Sequence, residues 1–307
     1  MKIVSLLPSA TEAVWALGLG PDLHAVSHEC DYPAPVAALP KITRAHMPPG
    51  LSSREIDDWV RDHLKSGRSL YSLDLDLLGR IKPDLMITQT LCEVCAIPER
   101  QVLDAACGLG GSPRVLNVEP TTLDEVIATV GTIAEAAGRP EAGRALMAAL
   151  RARIAAVAAR AAKIAKRKRA IFLEWLDPPY ASGHWIPDIV RLAGADDPLG
   201  RAGARSRVAS WSEVVAADPD VLVVALCGFD LARSIADAPK LLAAPGIAGL
   251  RAVRAGEVYF GGGSEHFIRP GPRLVESLEV LAATLYPDVH PLPEGLARLT
   301  RLAPNAR

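Results

Sequence analysis

The chain has 307 residues, of which 50% are hydrophobic and 22% charged, and its formal net charge is −1. This composition excludes a disordered chain, and 34 Lys and Arg against 35 Asp and Glu give no basic face for nucleic acid. No segment approaches the ~18–20 consecutive apolar residues of a transmembrane helix, so no membrane span is expected.

The apolar run that opens the chain is too short for a secretory signal. It stops at Pro8, and Thr11 and Glu12 follow at once, whereas a signal core needs ~7–15 apolar residues and a cleavage site. Five cysteines, an odd number, do not form the pattern of an oxidised secreted framework. The sequence as given is therefore expected in the cytoplasm, and a mis-assigned start would place the protein in the periplasm or at the cell surface.

The first half of the chain alternates short apolar segments with helical patterns. Ser9 and Glu12 have the spacing of a capping box and predict the start of a helix that ends at Gly18. Strands are predicted over residues 2–7, 23–27 and 114–118, and helices over residues 53–65, 98–107 and 123–137.

One α/β unit occurs twice in the sequence. Residues 75–88 read LDLLGRIKPDLMIT, and residues 211–225 read WSEVVAADPDVLVVA. Each copy has a short amphipathic helix, a Pro-Asp pair and a buried apolar strand. Two copies this far apart predict two similar lobes, and strands that alternate with helices predict parallel sheets.

Residues 141–168 predict one long helix between the lobes. Apolar residues recur at three- and four-residue spacing, and the helix would be ~40 Å long. Its basic end is KIAKRKR at residues 163–169, where cations stabilise a helix. The predicted divisions are an N-terminal lobe 1–139, an interlobe helix 140–168, a C-terminal lobe 169–287 and a tail 288–307.

The second lobe repeats the alternation of strands and helices. Strands are predicted over residues 169–174 and 257–260, and helices over residues 185–192, 238–244 and 272–285. In open parallel sheets, ligands bind beyond the carboxyl ends of the strands. Every loop that follows a strand is therefore a candidate for the ligand cleft.

Aromatic side chains concentrate on these loops, although aromatic residues are only 5% of the chain. Rings clustered at strand ends are typical of a site for a flat or bulky apolar ligand. The three glycines at residues 261–263 lack the Lys-Ser/Thr of a P-loop, and they predict a turn that brings residues 265–267 to the cleft. The predicted ligand-binding residues are His28, Tyr32, Gln89, Trp175, Tyr180, Trp185, Phe229, Glu265, His266 and Phe267.

Four of the five cysteines also fall on these loops. Cys92 and Cys95 form a C-x-x-C pair, but the second pair of a structural zinc site is missing. Thiolates and imidazoles suit a soft metal such as cobalt. Cys30, Cys92, Cys95 and Cys227 are therefore candidate metal ligands, and packing as small, half-buried loop residues is the alternative.

Several segments, in their order and spacing, carry a resemblance to a known family. They are IVSLLPSATEAVWALGLG at residues 3–20, IKPDLMI at 81–87, FLEWLDPPYASG at 172–183 and GPRLVESLEVLA at 271–282. The chain resembles, over residues 2–286, the cobalamin-binding, iron-siderophore-type periplasmic substrate-binding proteins of ABC importers. The resemblance implies a class III fold, in which two similar parallel-sheet α/β lobes are joined by one long interlobe helix and hold a corrinoid between them.

The resemblance also implies roles for individual residues. The implied ligand contacts are Tyr32 or His28, Trp175, Tyr180 and Glu265. The implied contacts with an ABC permease are one acidic side chain per lobe, Asp76 (or Asp74) and Glu213.

The predicted function is the binding of cobalamin or a related corrinoid, without catalysis, in transport or intracellular handling. His28, His266 or a thiolate would reach the axial position of cobalt. One alternative is a thiol- or metal-dependent enzyme acting on a corrinoid or tetrapyrrole, although no nucleophile–base pair is recognisable. The other is a carrier of a siderophore or a metal ion. The expected partners are the corrinoid and an ABC permease.

Overall fold

The structure is a computed structural model that describes residues 1–89, 99–108 and 113–303. The chain divides into two compact units. The first comprises Met1–Pro120 and Val126–Ala149, and the second comprises Thr121–Glu125 and Leu150–Arg307. Some predictions from the sequence concern residues outside the described ranges, namely Cys92, Cys95 and Pro98.

The strands of the first unit are β1 (Ile3–Ser5), β2 (Leu23–Val26), β3 (Thr43–Ala45), β4 (Tyr71–Leu73), β5 (Leu85–Thr88) and β6 (Arg114–Asn117). Four of them form a parallel sheet with strand order β2-β1-β5-β6. A separate antiparallel ribbon, which was not predicted from the sequence, pairs β3 with β4.

Within the described residues, six α-helices begin in the first half of the chain. They are α1 (Pro8–Ala16), α2 (Ser53–Lys65), α3 (Leu75–Ile81), α4 (Glu99–Gly108), α5 (Leu123–Ala136) and α6 (Pro140–Ala161). One face of the sheet is covered by a buried cluster that includes Val4, Met86, Leu78 and Val102. This packing explains why the first copy of the repeated α/β unit forms α3 and β5.

The predicted capping box at the first helix is wrong. Leu7 is the N-cap residue and makes no side-chain cap, and Pro8 occupies the first helical turn. A proline at this position suits a helix start because its missing N–H would have no intrahelical partner. Ser9 and Glu12 consequently lie inside the helix, and both are buried.

The long helix α6 ends at Ala161, seven residues before the predicted end. Lys168 and Arg169 instead pair with Ala195 and Asp196 in a strand. The Arg167 side chain bonds the carbonyls of Arg191 and Ala195. The basic run at residues 163–169 therefore connects α6 to the sheet of the second unit. Its last residues form strand and side-chain hydrogen bonds in place of a further helical turn. The boundary between the two units falls within α6.

The strands of the second unit are β7 (Lys168–Leu176), β8 (Pro179–Ala181), β9 (Ala195–Asp196), β10 (Arg207–Val208), β11 (Val221–Val224), β12 (Val258–Phe260) and β13 (Thr300–Arg301). They form a sheet with strand order β10-β8-β7-β11-β12-β13, and β9 also pairs with β7. The strands β7, β11 and β12 are parallel, as the sequence predicted, whereas β8, β10 and β13 run antiparallel to their neighbours.

The second copy of the repeated α/β unit forms α8 and β11, and all four residues of β11 are buried. This is the pattern of a strand covered on both faces. The helices of the second unit are α7 (Ile186–Leu192), α8 (Trp211–Ala217), α9 (Leu231–Ala236), α10 (Ala238–Ala243), α11 (Arg251–Arg254) and α12 (Leu274–Leu285).

The predicted tail after residue 287 needs correction. Tyr259 and Phe260 of β12 pair with Arg301 and Thr300, so the C-terminal segment adds β13 to the sheet. His290 is buried as well. The strand in residues 288–307 could not be predicted from the sequence, because it is only two residues long and has no alternating pattern.

Candidate functional site

The carboxyl ends of the four parallel strands define the first candidate surface. We call residues 6–9, 27–33, 89 and 118–120 the first-unit edge, since each segment directly follows a strand of that sheet. Loops at this edge are where open parallel sheets bind ligands. Of the predicted ligand-binding residues, His28, Tyr32 and Gln89 belong to it.

His28 is held by the β3–β4 ribbon. The Oγ1 atom of Thr43 accepts the backbone N–H of His28 at 2.9 Å and lies 2.6 Å from His28 Nδ1. The Tyr71 ring contacts the imidazole with 5.4 Å between ring centroids. Burial, followed by the charge of Lys41, lowers the pKa of His28 below its ordinary value. His28 is therefore a neutral, oriented imidazole near neutral pH.

Thr43 and Tyr71 were not among the predicted site residues. Both lie on strands of three residues, which are too short for a pattern of alternating burial to be recognised. Only their contacts with His28 connect them to the candidate surface.

Cys30 points into the protein rather than toward a ligand. Its side chain is buried, and Sγ lies 3.1 Å from Thr11 Oγ1. Thr11 in turn bonds Ser5 Oγ and the Leu7 carbonyl. Burial raises the pKa of the Cys30 thiol, which disfavours the thiolate form that binds metals. These contacts support the packing alternative for Cys30.

Tyr32 and Gln89 have opposite exposures at the first-unit edge. Tyr32 is 44% exposed, whereas Gln89 is buried. An exposed aromatic ring can be covered by a ligand without any rearrangement of the protein, and its burial would then contribute affinity. Tyr32 is the side chain of this edge that is best placed for such a contact.

The second candidate surface lies at the carboxyl ends of β7, β11 and β12. We call residues 177–180, 225–230 and 261–267 the second-unit edge. Trp175, the penultimate residue of β7, packs edge-to-face on Phe229 at 5.0 Å, and the Arg233 guanidinium lies 3.8 Å from the centre of the Phe229 ring. Trp175 and Phe229 are both buried. This stack stabilises the edge, and Tyr180, which is half-buried, offers more accessible surface.

Trp185 and Phe267 stabilise the second unit from inside. The Trp185 Nε1–H donates to the Phe267 carbonyl at 2.8 Å, and Phe267 packs on Phe172 at 5.1 Å. Phe267 has an exposed fraction of 0%. The predicted position of Trp185 at the carboxyl edge assumed a parallel strand before it. Because β8 is antiparallel to β7, Pro179–Ala181 run back along that strand, and Trp185 follows the end of β8 that pairs with Leu173.

Glu265 and His266 lie in a single π-helical turn, Gly263–Phe267. Glu265 is exposed and His266 half-buried. Burial, and then the charge of Arg273, lowers the pKa of His266. Gly263 packs so closely on the Leu226 carbonyl that a Cβ atom would overlap it. The glycines therefore place the turn tightly against the sheet, rather than serving as the flexible turn that the sequence suggested.

No metal-binding group of three His, Cys, Asp or Glu exists in the part of the chain that the structure describes. Cys227 is half-buried and forms no disulfide. The roles of Cys92 and Cys95 remain predictions, since neither is among the described residues.

The two predicted docking carboxylates occupy similar positions in their units. Asp76 is exposed in the first turn of α3, whereas Asp74 caps that helix by accepting the Leu77 N–H at 2.8 Å. Glu213, in the first turn of α8, completes a capping box with Ser210 and pairs with Arg207 at 2.9 Å. These bonds, led by the Ser210 backbone N–H, lower the Glu213 pKa to about 2.

The comparisons with known proteins place this fold in a family. A sequence model of the family described as Periplasmic binding protein matches residues 3–264. The chain belongs to the Periplasmic binding protein family. This confirms the predicted resemblance and the predicted α/β fold class, and it makes the chain a substrate-binding protein of a transporter rather than an enzyme.

Among the relatives of this Periplasmic binding protein is the vitamin B12-binding protein of Yersinia pestis (strain Pestoides F). It is 24% identical over 226 residues, which are 73% of this chain and 69% of the relative. The periplasmic heme-binding protein RhuT of Roseiflexus sp. RS-1 in apo form is 24% identical, with a TM-score of 0.70 and coverage of 93% of this chain and 98% of RhuT.

A further solved relative is the periplasmic vitamin B12 binding protein BtuF of Vibrio cholerae, with 21% identity, a TM-score of 0.64 and coverage of 92% of this chain and 95% of BtuF. Similarity at these identities establishes the fold.

The family also bears on location and partners. Periplasmic binding proteins deliver small-molecule ligands to ABC permeases, which supports the predicted class of partner. The family is periplasmic, so the expectation of a cytoplasmic protein gains no support from the comparisons. Among the described helices, none combines the length and apolar character needed to cross a bilayer.

Proposed function

We propose that this Periplasmic binding protein binds cobalamin or a closely related corrinoid and delivers it to an ABC permease. Vitamin B12-binding proteins are among both its curated and its solved relatives. Heme-binding proteins share the fold as well, so the choice between these ligands depends on the chemistry of this chain's own candidate surfaces.

The observation that carries the choice is the charge of the first-unit edge. Its segments contain Glu29, Asp31 and Glu119 and neither Lys nor Arg. Lys41 approaches this edge from a neighbouring segment, where its ammonium donates to the Cys30 carbonyl at 2.6 Å. Heme carries two propionate carboxylates, whereas cyanocobalamin has uncharged amide side chains and one phosphate whose charge is balanced by the cobalt centre. A surface rich in carboxylates repels the first ligand and not the second.

The ligand contacts that we propose are a subset of the sequence predictions. The proposed contacts are the predicted residues whose side chains are exposed or half-buried, namely Tyr32, His28, Tyr180, Glu265 and His266. Trp175 and Phe229 are buried and pack on each other, and the Trp185 Nε1–H donates to the Phe267 carbonyl, so we count these three side chains as packing of the second unit. We leave Phe267 out of the contact set because none of its surface is accessible.

We further propose that Asp76 and Glu213 contact the permease. Asp76 is exposed and Asp74 is engaged in capping, which supports Asp76 as the contact of the first unit. Glu213 is already paired with Arg207. A basic permease side chain would therefore have to share or replace Arg207, and the contact at Glu213 would be weaker than that at Asp76.

The proposal is tested by titrating the purified protein with cyanocobalamin, hemin and a ferric hydroxamate, followed by absorption spectroscopy and calorimetry. Micromolar or tighter binding of cyanocobalamin, with at least tenfold weaker binding of hemin, would support it. Absence of corrinoid binding, or a preference for hemin or the hydroxamate, would refute the corrinoid assignment.

A further inference from the structure

One oxygen atom controls the hydrogen bonding of His28. Thr43 Oγ1 accepts the backbone N–H of His28 and also lies 2.6 Å from Nδ1 of the same residue. Thr43 is buried, with an exposed fraction of 2%. Within the described ranges, these are its side chain's hydrogen bonds, so the hydroxyl proton has one available acceptor.

The position of the imidazole proton follows from counting donors and acceptors. A hydroxyl group has one hydrogen and two lone pairs. The backbone N–H of His28 occupies one lone pair. If Nδ1 carried a proton, it would occupy the second lone pair and leave the buried hydroxyl hydrogen without a partner, which is costly. The arrangement that satisfies both groups has the Thr43 hydroxyl donating to an unprotonated Nδ1.

A neutral imidazole that accepts at Nδ1 carries its hydrogen at Nε2. The Tyr71 ring packs against the imidazole and restrains its rotation. No described residue bonds Nε2, which leaves that atom for a ligand. The nitrogen available to a ligand is consequently a hydrogen-bond donor and has no lone pair for a metal.

We propose that Thr43 fixes His28 as the Nε2–H tautomer, so that His28 donates a hydrogen bond to a carbonyl oxygen of the ligand instead of coordinating its metal. This assignment rests on the proposed function, because it places His28 in the same site. A peripheral amide of a corrinoid supplies such an oxygen. The assignment replaces the axial cobalt contact that the sequence analysis suggested for His28.

The tautomer is measured first, in the free protein, by long-range ¹H–¹⁵N correlation of ¹⁵N-labelled histidine. We expect Nε2 protonated and Nδ1 unprotonated in the wild-type protein and in Thr43→Ser, which keeps the hydroxyl. Thr43→Val removes it at nearly constant shape, and the pattern should become a mixture of both tautomers. A protonated Nδ1 in the wild-type protein overturns the inference, whatever the protein binds.

The ligand contact is measured second, with cyanocobalamin and aquocobalamin as probes. Thr43→Val should weaken cyanocobalamin binding about tenfold, and Thr43→Ser should restore most of the affinity. Aquocobalamin should keep its absorption bands on binding. A band shift typical of imidazole coordination that is lost in His28→Gln would overturn the inference. If neither probe binds, the proposed function fails, and the tautomer measurement still decides the role of Thr43.

Discussion

Arg153 of α6 forms two parallel hydrogen bonds with Glu279 of α12, at 3.1 Å from Nε and 2.6 Å from the terminal nitrogen. Glu279 is mostly buried, with a side-chain exposure of 12%. The pair fixes the C-terminal half of α6 to α12 within the second unit. Arg151, two residues earlier on α6, bonds a single oxygen of Asp124 through Nε at 3.4 Å and a terminal nitrogen at 3.1 Å, and both side chains are exposed.

Arg153→Met should therefore destabilise the protein more than Arg151→Met. Loss of the first pair leaves a mostly buried carboxylate without its partner and should cost about 1–2 kcal/mol, whereas an exposed pair contributes less than about 1 kcal/mol. Thermal unfolding monitored by circular dichroism compares the two variants directly. Equal melting temperatures would show that the geometry of the Arg153 pair adds no stability.

Gly263→Ala should lower the melting temperature, because the added methyl group would overlap the Leu226 carbonyl. Overpacking of this kind costs about 1–3 kcal/mol. Gly249→Ala is the matched control, since a Cβ there meets open space and the backbone needs no positive φ. Unfolding curves that coincide for the two variants would contradict the tight packing of the turn that carries Glu265 and His266.

Stability should fall as the pH is lowered from about 6.5. Burial is the largest cause of a lowered pKa at His28, His184, His266 and His290. The unfolded chain, with pKa values near 6.5, then binds protons before the folded protein does. The stability from neutral burial is complete above that value and is lost as the pH falls toward the folded pKa values.

Melting temperatures measured between pH 7.5 and pH 5 test this dependence. The window is separate from that of the carboxylates, whose ordinary pKa values lie near 4. His290→Gln, which replaces a buried imidazole by a group that does not titrate, should make the decline shallower. A melting temperature that stays constant from pH 7.5 to pH 5 would argue against the burial of these four rings.

Tyr32→Ala should weaken corrinoid binding without destabilising the fold. The ring is 44% exposed, so its removal should change stability by less than about 0.5 kcal/mol. Loss of an aromatic ligand contact should reduce affinity about 5- to 50-fold. Leu103→Ala, at an exposed position on α4, serves as the control and should bind cyanocobalamin like the wild-type protein. Unchanged affinity in Tyr32→Ala would remove this residue from the site.

Neutralising the first-unit edge should alter selectivity. We expect the double variant Glu29→Gln, Asp31→Asn to bind hemin about 3- to 10-fold more tightly, since two repulsive charges are removed. Its affinity for cyanocobalamin, whose net charge is zero, should change much less. Titrations at two salt concentrations add a second criterion, because the gain should shrink at high salt. A gain that is the same for both ligands would contradict the charge argument.

Prediction from the sequence was most accurate where one periodicity dominated. Helix Ser53–Lys65 has the predicted bounds, and in the structure Ser52 and Glu55 form a true capping box at its start. The buried strand β11 was equally clear from its run of four apolar residues. At Ser9 and Glu12 the same spacing gave a wrong prediction, since the N-cap residue is Leu7, two residues before Ser9.

The candidate site was harder to predict than the fold. The rule that ligands bind beyond strand ends selected His28, Tyr32 and Glu265, which stay proposed contacts, and it also selected Trp185, which follows an antiparallel strand. It could not find Thr43, whose contact with His28 joins positions 15 residues apart. Both Tyr32 and Phe267 are aromatic residues predicted to contact the ligand, but only Tyr32 has a side chain exposed to solvent in the structure.

The sequence by itself determined the repeated α/β unit, the parallel central strands and the family, because these follow from local periodicity and from the order of segments along the chain. Tertiary structure alone decided which loop side chains remain accessible and which become packing, as at Phe267, and which side chain bonds the His28 ring. Both outcomes depend on contacts between residues distant in sequence, such as Trp185 with Phe267 and His28 with Thr43. No periodicity within a single element encodes such contacts.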